Sequence, residues 1–143
     1  MNAIAPNPPA TVIAVLTDLL FATRVSETAR SLGLALTCVS PERLIATAEH
    51  LTVTRVVVDL TAQGDPAAAI EALRRTTHGA SIPVIAFHPH VNVALGDRAR
   101  AVGATRVLPR SAFTAKLAAI LGGQFDTPPK RDLPGTVPLP ESG

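Results

Sequence analysis

The sequence predicts an α/β domain: a parallel sheet of five strands with helices on both of its faces. Three observations predict it. Short apolar runs alternate along the chain with segments of helical period. The runs are continuously apolar and β-branched, above all Arg55-Val56-Val57-Val58-Asp59, the composition of strands covered on both faces. Most helical segments carry a capping residue at the start or a glycine at the end. No internal repeat interrupts the alternation, and right-handed crossovers leave few topologies for such a chain.

The elements follow in order. Thr11 to Leu16 is a buried strand. Leu20 to Leu32 carries Phe21, Val25, Ala29 and Leu32 at helical spacing, and Gly33 stops it. Leu34 to Val39 is a second strand. Ser40 is an N-cap with Pro41 at the first helical position, opening a helix through Leu44, Ile45 and Ala48. Arg55 to Asp59 is the third strand. Asp65-Pro66 caps a helix carrying Ile70 and Leu73. Ile82 to Phe87 is the fourth strand, and a helix from Val93 to Val102 ends at Gly103. Arg106 to Leu108 is a short fifth strand. Ser111 caps a last helix through Phe113, Leu117 and Ile120, stopped by Gly122-Gly123.

Composition bounds what such a domain can be. The 143 residues suffice for one domain and hardly for two, and 47% are hydrophobic, enough for a sizeable core. The 13 basic and 11 acidic residues nearly balance, and basic residues run no further than pairs such as Arg74-Arg75, so no nucleic-acid partner is expected. Arg74-Arg75 and Arg98-x-Arg100 read as solvated helix faces. Cys38 is the one cysteine; it cannot form an internal disulfide, which fits a reducing cytoplasm, and its apolar run predicts a small buried hydrophobe. Met1 to Ala10 lacks the basic n-region of a signal peptide. No run of 18 apolar residues exists, so no membrane is expected. Residues 1–10 read as a disordered arm, 11–122 as the folded domain and 123–143 as a proline-rich disordered tail, either docking peptide or tether.

In an open parallel sheet, ligands bind beyond the carboxyl ends of the strands. Here those ends are Thr17-Asp18, Asp59-Leu60-Thr61, His88-Pro89-His90 and Pro109-Arg110-Ser111. On these residues the chain resembles the CheY-like receiver domains of response regulators, over about Thr11 to Leu121. The resemblance implies a flavodoxin-like three-layer sandwich with strand order 2-1-3-4-5. It puts Asp59 at the phosphoacceptor position, Asp18 in the acidic pair after strand one, His88 at the Ser/Thr position after strand four and Arg110 at the lysine position after strand five. Ser111 then stands at the proline of the usual Lys-Pro pair. Gly103-Ala104 is a pair that receivers also favour. The stretches Asp18 to Arg24, Phe87 to Val91 and Val107 to Phe113 are also similar to a group of short stand-alone bacterial receiver-like proteins, which implies nothing about activity.

The departures matter. A receiver's Mg²⁺ takes two or more carboxylates in near-octahedral geometry. This chain offers Asp59 and Asp18, the second with Thr17 beside it. Arg110 is a planar fork where a compact ammonium is needed. His88 lacks the small hydroxyl, and Val107 replaces the aromatic residue of strand five. The chain therefore reads as a degenerate pseudo-receiver. Asp59 is either a phosphoacceptor or a strand-end carboxylate that caps a loop or pairs with Arg110; the incomplete acidic pocket favours the second. Asp18 is either a metal ligand or, by its place, the N-cap of the first helix. His88 and His90 form a His-x-His pair with no third ligand, since His50 and His78 should lie at the far edge, so no metal is assigned. Arg24, Arg110 and Ser111 are the choice for any bound anion, against ordinary surface salt bridges to Asp18 or Asp59.

No Walker A, dinucleotide or Gly-x-Ser-x-Gly pattern occurs, and no enzyme is expected. Three functions stay open. The first is a phosphorylation-independent regulatory module that docks a protein partner or a second copy, across a face carrying Val93, Leu95, Val102, Val107 and Ala119. The second is a working response regulator phosphorylated on Asp59 with Mg²⁺. The third is an anion or nucleotide sensor. No cofactor is expected outside the second.

Overall fold

The computed structural model of the chain describes residues 10–90 and 92–129. Strands β1 (Thr11–Val15), β2 (Ala35–Val39), β3 (Val53–Asp59), β4 (Val84–His88) and β5 (Arg106–Pro109) form one parallel sheet in the order β2-β1-β3-β4-β5. The helices are α1 (Leu19–Ser31), α2 (Leu44–Glu49), α3 (Pro66–Arg74), α4 (Val93–Ala101), α5 (Arg110–Ala115) and α6 (Leu117–Leu121), with short 3₁₀ turns at Pro41–Arg43 and Gly79–Ser81.

Alternation along the strands sorts two cores. On one face Val12, Ala14, Val57, Ile85 and Phe87 pack under α1, α5 and α6 through Phe21, Val25, Phe113 and Ile120. On the other Ile13, Val15, Val56, Val58, Val84 and Ala86 pack under α2, α3 and α4 through Leu44, Ile70, Leu73 and Ala99. Both faces of the middle strands are thus buried, which is why their sequences run apolar without a break.

The structure amends several expectations. Ser40 makes no side-chain cap, and the chain after it starts as a 3₁₀ turn before α2. Ser111 lies inside the first turn of α5, whose cap position is Pro109, so it caps nothing. The last helix is two, α5 and α6, parted at Lys116, whose φ of −107° and ψ of 15° leave the helical region; no proline or glycine explains the break. Cys38 is exposed rather than buried, because β2 is an edge strand and leaves one side of it uncovered. Burial by what remains around the thiol still pushes it above its ordinary value, and a hydrogen bond with Ser26 pulls it partly back.

Arg74 is no solvated helix residue. Its guanidinium donates to the carbonyls of Gly79 (2.7 Å), Ile82 (2.6 Å) and Gly103 (2.9 Å) and to Thr105 Oγ1 (3.2 Å). It thereby ties α3 to the loops before β4 and β5. Gly103 has φ +112° and a Cβ there would stand 2.9 Å from Arg74 Cγ, so a side chain is excluded twice.

The fold also runs past residue 122. Arg55 on β3 is buried and grips Asp126 with two bonds, Nε to Oδ1 (2.9 Å) and Nη2 to Oδ2 (3.0 Å), while Nη1 donates to the Leu121 carbonyl (2.7 Å). Arg106 lies 4.7 Å over the Phe125 ring and donates to the Thr127 carbonyl at 3.0 Å. Phe125, Asp126 and Thr127, beyond the boundary expected at 122, are thus in contact with β3 and β5. The expected arm over 1–9 and the tail from 130 onward lie outside the described residues.

Candidate functional site

Asp59 ends β3, the central strand, and is 3% exposed. Its Oδ1 accepts two bonds from Thr61, the backbone N–H at 2.8 Å and the hydroxyl at 2.6 Å. The carboxylate thus caps its own loop, one of the two roles read for it. It makes no ion pair with Arg110 among the described residues.

The β1–β3 register pairs Val15 with Val58, so Leu16 is level with Asp59. Asp59 pairs with Phe87 on the other side. Alternation turns Leu16, Asp59 and Phe87 to the same face of the sheet. Leu16 and Phe87 are both buried in the core cluster there, above stacked Phe87 and Phe113 rings 4.0 Å apart. The carboxylate therefore sits between two apolar neighbours, Leu16 and Phe87.

Asp18 is turned away. Its Oδ1 accepts from the N–H groups of Leu20 (3.0 Å) and Phe21 (3.2 Å), the N-cap of α1, and its Oδ2 stands 3.7 Å from Arg110 Nη2. Thr17 is committed as well: its Oγ1 accepts from Gln63 N at 3.0 Å and pins the loop after β3 to the end of β1. Among the described residues no group of three His, Cys, Asp or Glu could hold a metal.

Arg110 lies with Cζ 4.3 Å over the Phe21 ring. With Asp18, Leu20, Phe21 and Arg24 it lines an open cavity of about 340 Å³. Of the three residues chosen for a bound anion, Arg24 and Arg110 line this cavity and Ser111 does not, and the Asp18 carboxylate lines it too. Sequence reasoning missed Leu19 and Leu20, 82% and 87% exposed beside this cavity; the signal was that both fall off the Phe21, Val25, Ala29 stripe. The expected docking face is largely used up: Leu95, Val102 and Val107 pack against the core, and Val93 alone among them is well exposed.

His88 is buried at 7% exposure, and its Nδ1 donates to the Pro89 carbonyl at 2.7 Å. His90 is exposed, so the His-x-His pair splits between core and solvent. On α3, Asp65 caps the helix through Ala68 N–H (3.1 Å) and meets Arg98 at 3.2 Å; the N–H bond first, then the Arg98 bond, hold its carboxyl below the usual range.

A five-stranded parallel sheet in this order, with helices on both faces and an aspartate ending the central strand, is the fold of response-regulator receiver domains. Solved structures similar to the chain include the chemotaxis response regulator CheY4 of Vibrio cholerae, at 19% identity and TM-score 0.70, over 80% of this chain and 97% of that one. The receiver domain of sensor histidine kinase PA1611 from Pseudomonas aeruginosa, with magnesium coordinated in its active-site cleft, is 19% identical at TM-score 0.67, over 80% of this chain and 98% of that one. The phosphorylated cyanobacterial phytochrome response regulator RcpA is 12% identical at TM-score 0.67, over 81% and 91%. No protein-family model and no curated protein matches the sequence. No helix among the described residues is long and apolar enough to cross a membrane.

Proposed function

We propose that the chain is a receiver-like regulatory module that acts through protein contacts without phosphorylation of Asp59. One observation carries this: the position level with Asp59 just past β1 is Leu16, and the nearest acidic residue in sequence there, Asp18, is spent on capping α1 and facing Arg110. A divalent cation needs several hard oxygens, and dehydrating it for one carboxylate between Leu16 and Phe87 is unfavourable. Without the cation, nothing neutralises charge on a phosphoryl group at Asp59. Arg110 does not substitute, since its guanidinium lies on Phe21.

The protein resembles others that are phosphorylated or hold magnesium, so the test is direct. Incubation with acetyl phosphate and Mg²⁺, read by intact mass, should give no gain. A gain that disappears in Asp59→Asn restores the phosphoacceptor reading. The Asp18 carboxylate in the Arg24–Arg110 cavity weighs against the anion-sensor reading.

A further inference from the structure

The two edges of the sheet differ in how they are guarded. At one edge β5 opens with Arg106 and closes with Pro109. The chain beyond α6 also crosses its start: Arg106 Nε donates to the Thr127 carbonyl at 3.0 Å, and Pro128 and Pro129 line a cavity with Arg106 and Val107. Charge, proline and cover keep an open edge from pairing. At the other edge β2 has none of them. From Leu34 to Val39 there is no charge, proline or glycine, and the β1–β2 register runs without a bulge. Every residue of β2 is at least partly exposed.

Alternation decides which backbone groups are left over. The Val39 carbonyl accepts from Leu16 N–H at 3.1 Å, so Ala35, Thr37 and Val39 turn their backbone groups to β1. The N–H and C=O of Leu36 and Cys38 then point away from the sheet, and no other strand among the described residues pairs with them. The side chains of both lie on the α1 face, Leu36 against the core there and Cys38 bonded to Ser26.

We propose that β2 is a pairing edge for a second copy of the chain, the two β2 strands joining antiparallel about a two-fold axis through Thr37. In that register Leu36 of each copy stands opposite Cys38 of the other. The pair exchanges both N–H to C=O bonds, so all the outward groups of both residues are used. An axis at Leu36 would set Cys38 against Leu34, whose N–H is already given to the Ala29 carbonyl at 2.9 Å. An axis at Cys38 would set Leu36 against Ser40, beyond the strand. At the chosen axis Thr37 meets Thr37 of the second copy, a favourable cross-strand pair, and no like charges meet along the strand. A two-fold contact uses one patch twice, and an uncharged strand complements itself. The pairing rests on the protein-contact part of the function proposed above and not on the chemistry of Asp59.

Two five-residue strands make a small contact, so the test spans about 5 µM to about 500 µM of the full chain, with reductant to keep Cys38 a thiol. Sedimentation velocity should show a dimer forming within that range. Amide exchange by NMR should show Leu36 and Cys38 gaining protection with concentration, and the β5 amides gaining none. Thr37→Lys puts two like charges opposite each other at the axis, and Cys38→Pro removes an outward N–H without touching the bonds to β1. Each should weaken association at least about tenfold. A monomer throughout overturns the pairing, as does a dimer that neither substitution weakens or that protects amides other than those of β2. If a variant fails to fold, the exchange of the wild-type chain decides alone. A mass gain with acetyl phosphate would overturn the reading of Asp59 and leave the pairing standing, and a strict monomer would do the reverse.

Discussion

Thr61 determines how Asp59 lives in the sheet. Two bonds to one carboxylate oxygen, at 2.8 and 2.6 Å, hold a nearly inaccessible charge between Leu16 and Phe87. Hydrogen bonds to charged groups contribute about 1.5–3 kcal/mol. Thr61→Val removes the hydroxyl bond and should lower the melting temperature by about 6–12 °C, while Thr61→Ser should restore most of it. Cys38 makes a second residue-scale prediction. Its thiol is exposed but pushed up by partial burial, so less thiolate is present at neutral pH than in a free cysteine. Maleimide or disulfide-reagent labelling at pH 7 should go to completion, more slowly than with a cysteine peptide. That Asp59 caps a loop was readable from its place at a strand end, though not that Thr61 is its partner; the surroundings of Cys38 were not legible in the sequence. Apolar neighbours argued for a buried Cys38, and only the place of β2 at the sheet edge exposes it.

At the scale of elements, caps and periods carried the reading well where a cap is local. Asp18 and Asp65 cap α1 and α3 as their positions suggested, because the bonds span two or three residues. Ser40 and Ser111 fit the same pattern and cap nothing: Ser40 stands at the cap position of the 3₁₀ turn but its hydroxyl makes no cap bond, and Ser111 falls inside α5, which starts at Arg110. Arg74 was misread because its partners are loop carbonyls and one hydroxyl, from Gly79 and Ile82 nearby to Gly103 and Thr105 about thirty residues on, which no helical period signals. Asp65 has a consequence for α3. Its folded-state value is depressed, so the stability it lends is full above the ordinary carboxylate range and is lost as pH falls through the lowered value. Circular dichroism in acid should show α3 weakening below about pH 4, and Asp65→Asn should remove that component while weakening the helix at neutral pH.

For the whole molecule, the alternation of apolar runs with helical periods made the parallel sheet readable, and the strand order came with the resemblance. The closing contacts did not show. Residues 123–129 are polar and proline-bearing, the composition of a tail, yet Asp126 meets a buried arginine that the sequence hid inside a β-branched run. Removing one member of a buried pair costs about 3–5 kcal/mol. With Asp126 partly exposed and the Leu121 carbonyl still bonded to Arg55, Asp126→Ala should fall at or below the low end, seen as a lower denaturant midpoint with the slope unchanged. A chain ended at Gly122, the boundary the sequence suggested, should be less stable than one ended at Pro129 by at least as much.

The Arg55–Asp126 clasp also sets a timetable for the nascent chain. The two residues are 71 apart, and β1, made first, has no neighbour on its β3 side until residues 53–59 are synthesised. Early segments must wait unpaired for later ones, as parallel pairing demands. The middle strand's arginine in turn stays uncovered until Asp126 leaves the ribosome, so this clasp closes late and the domain does not close progressively.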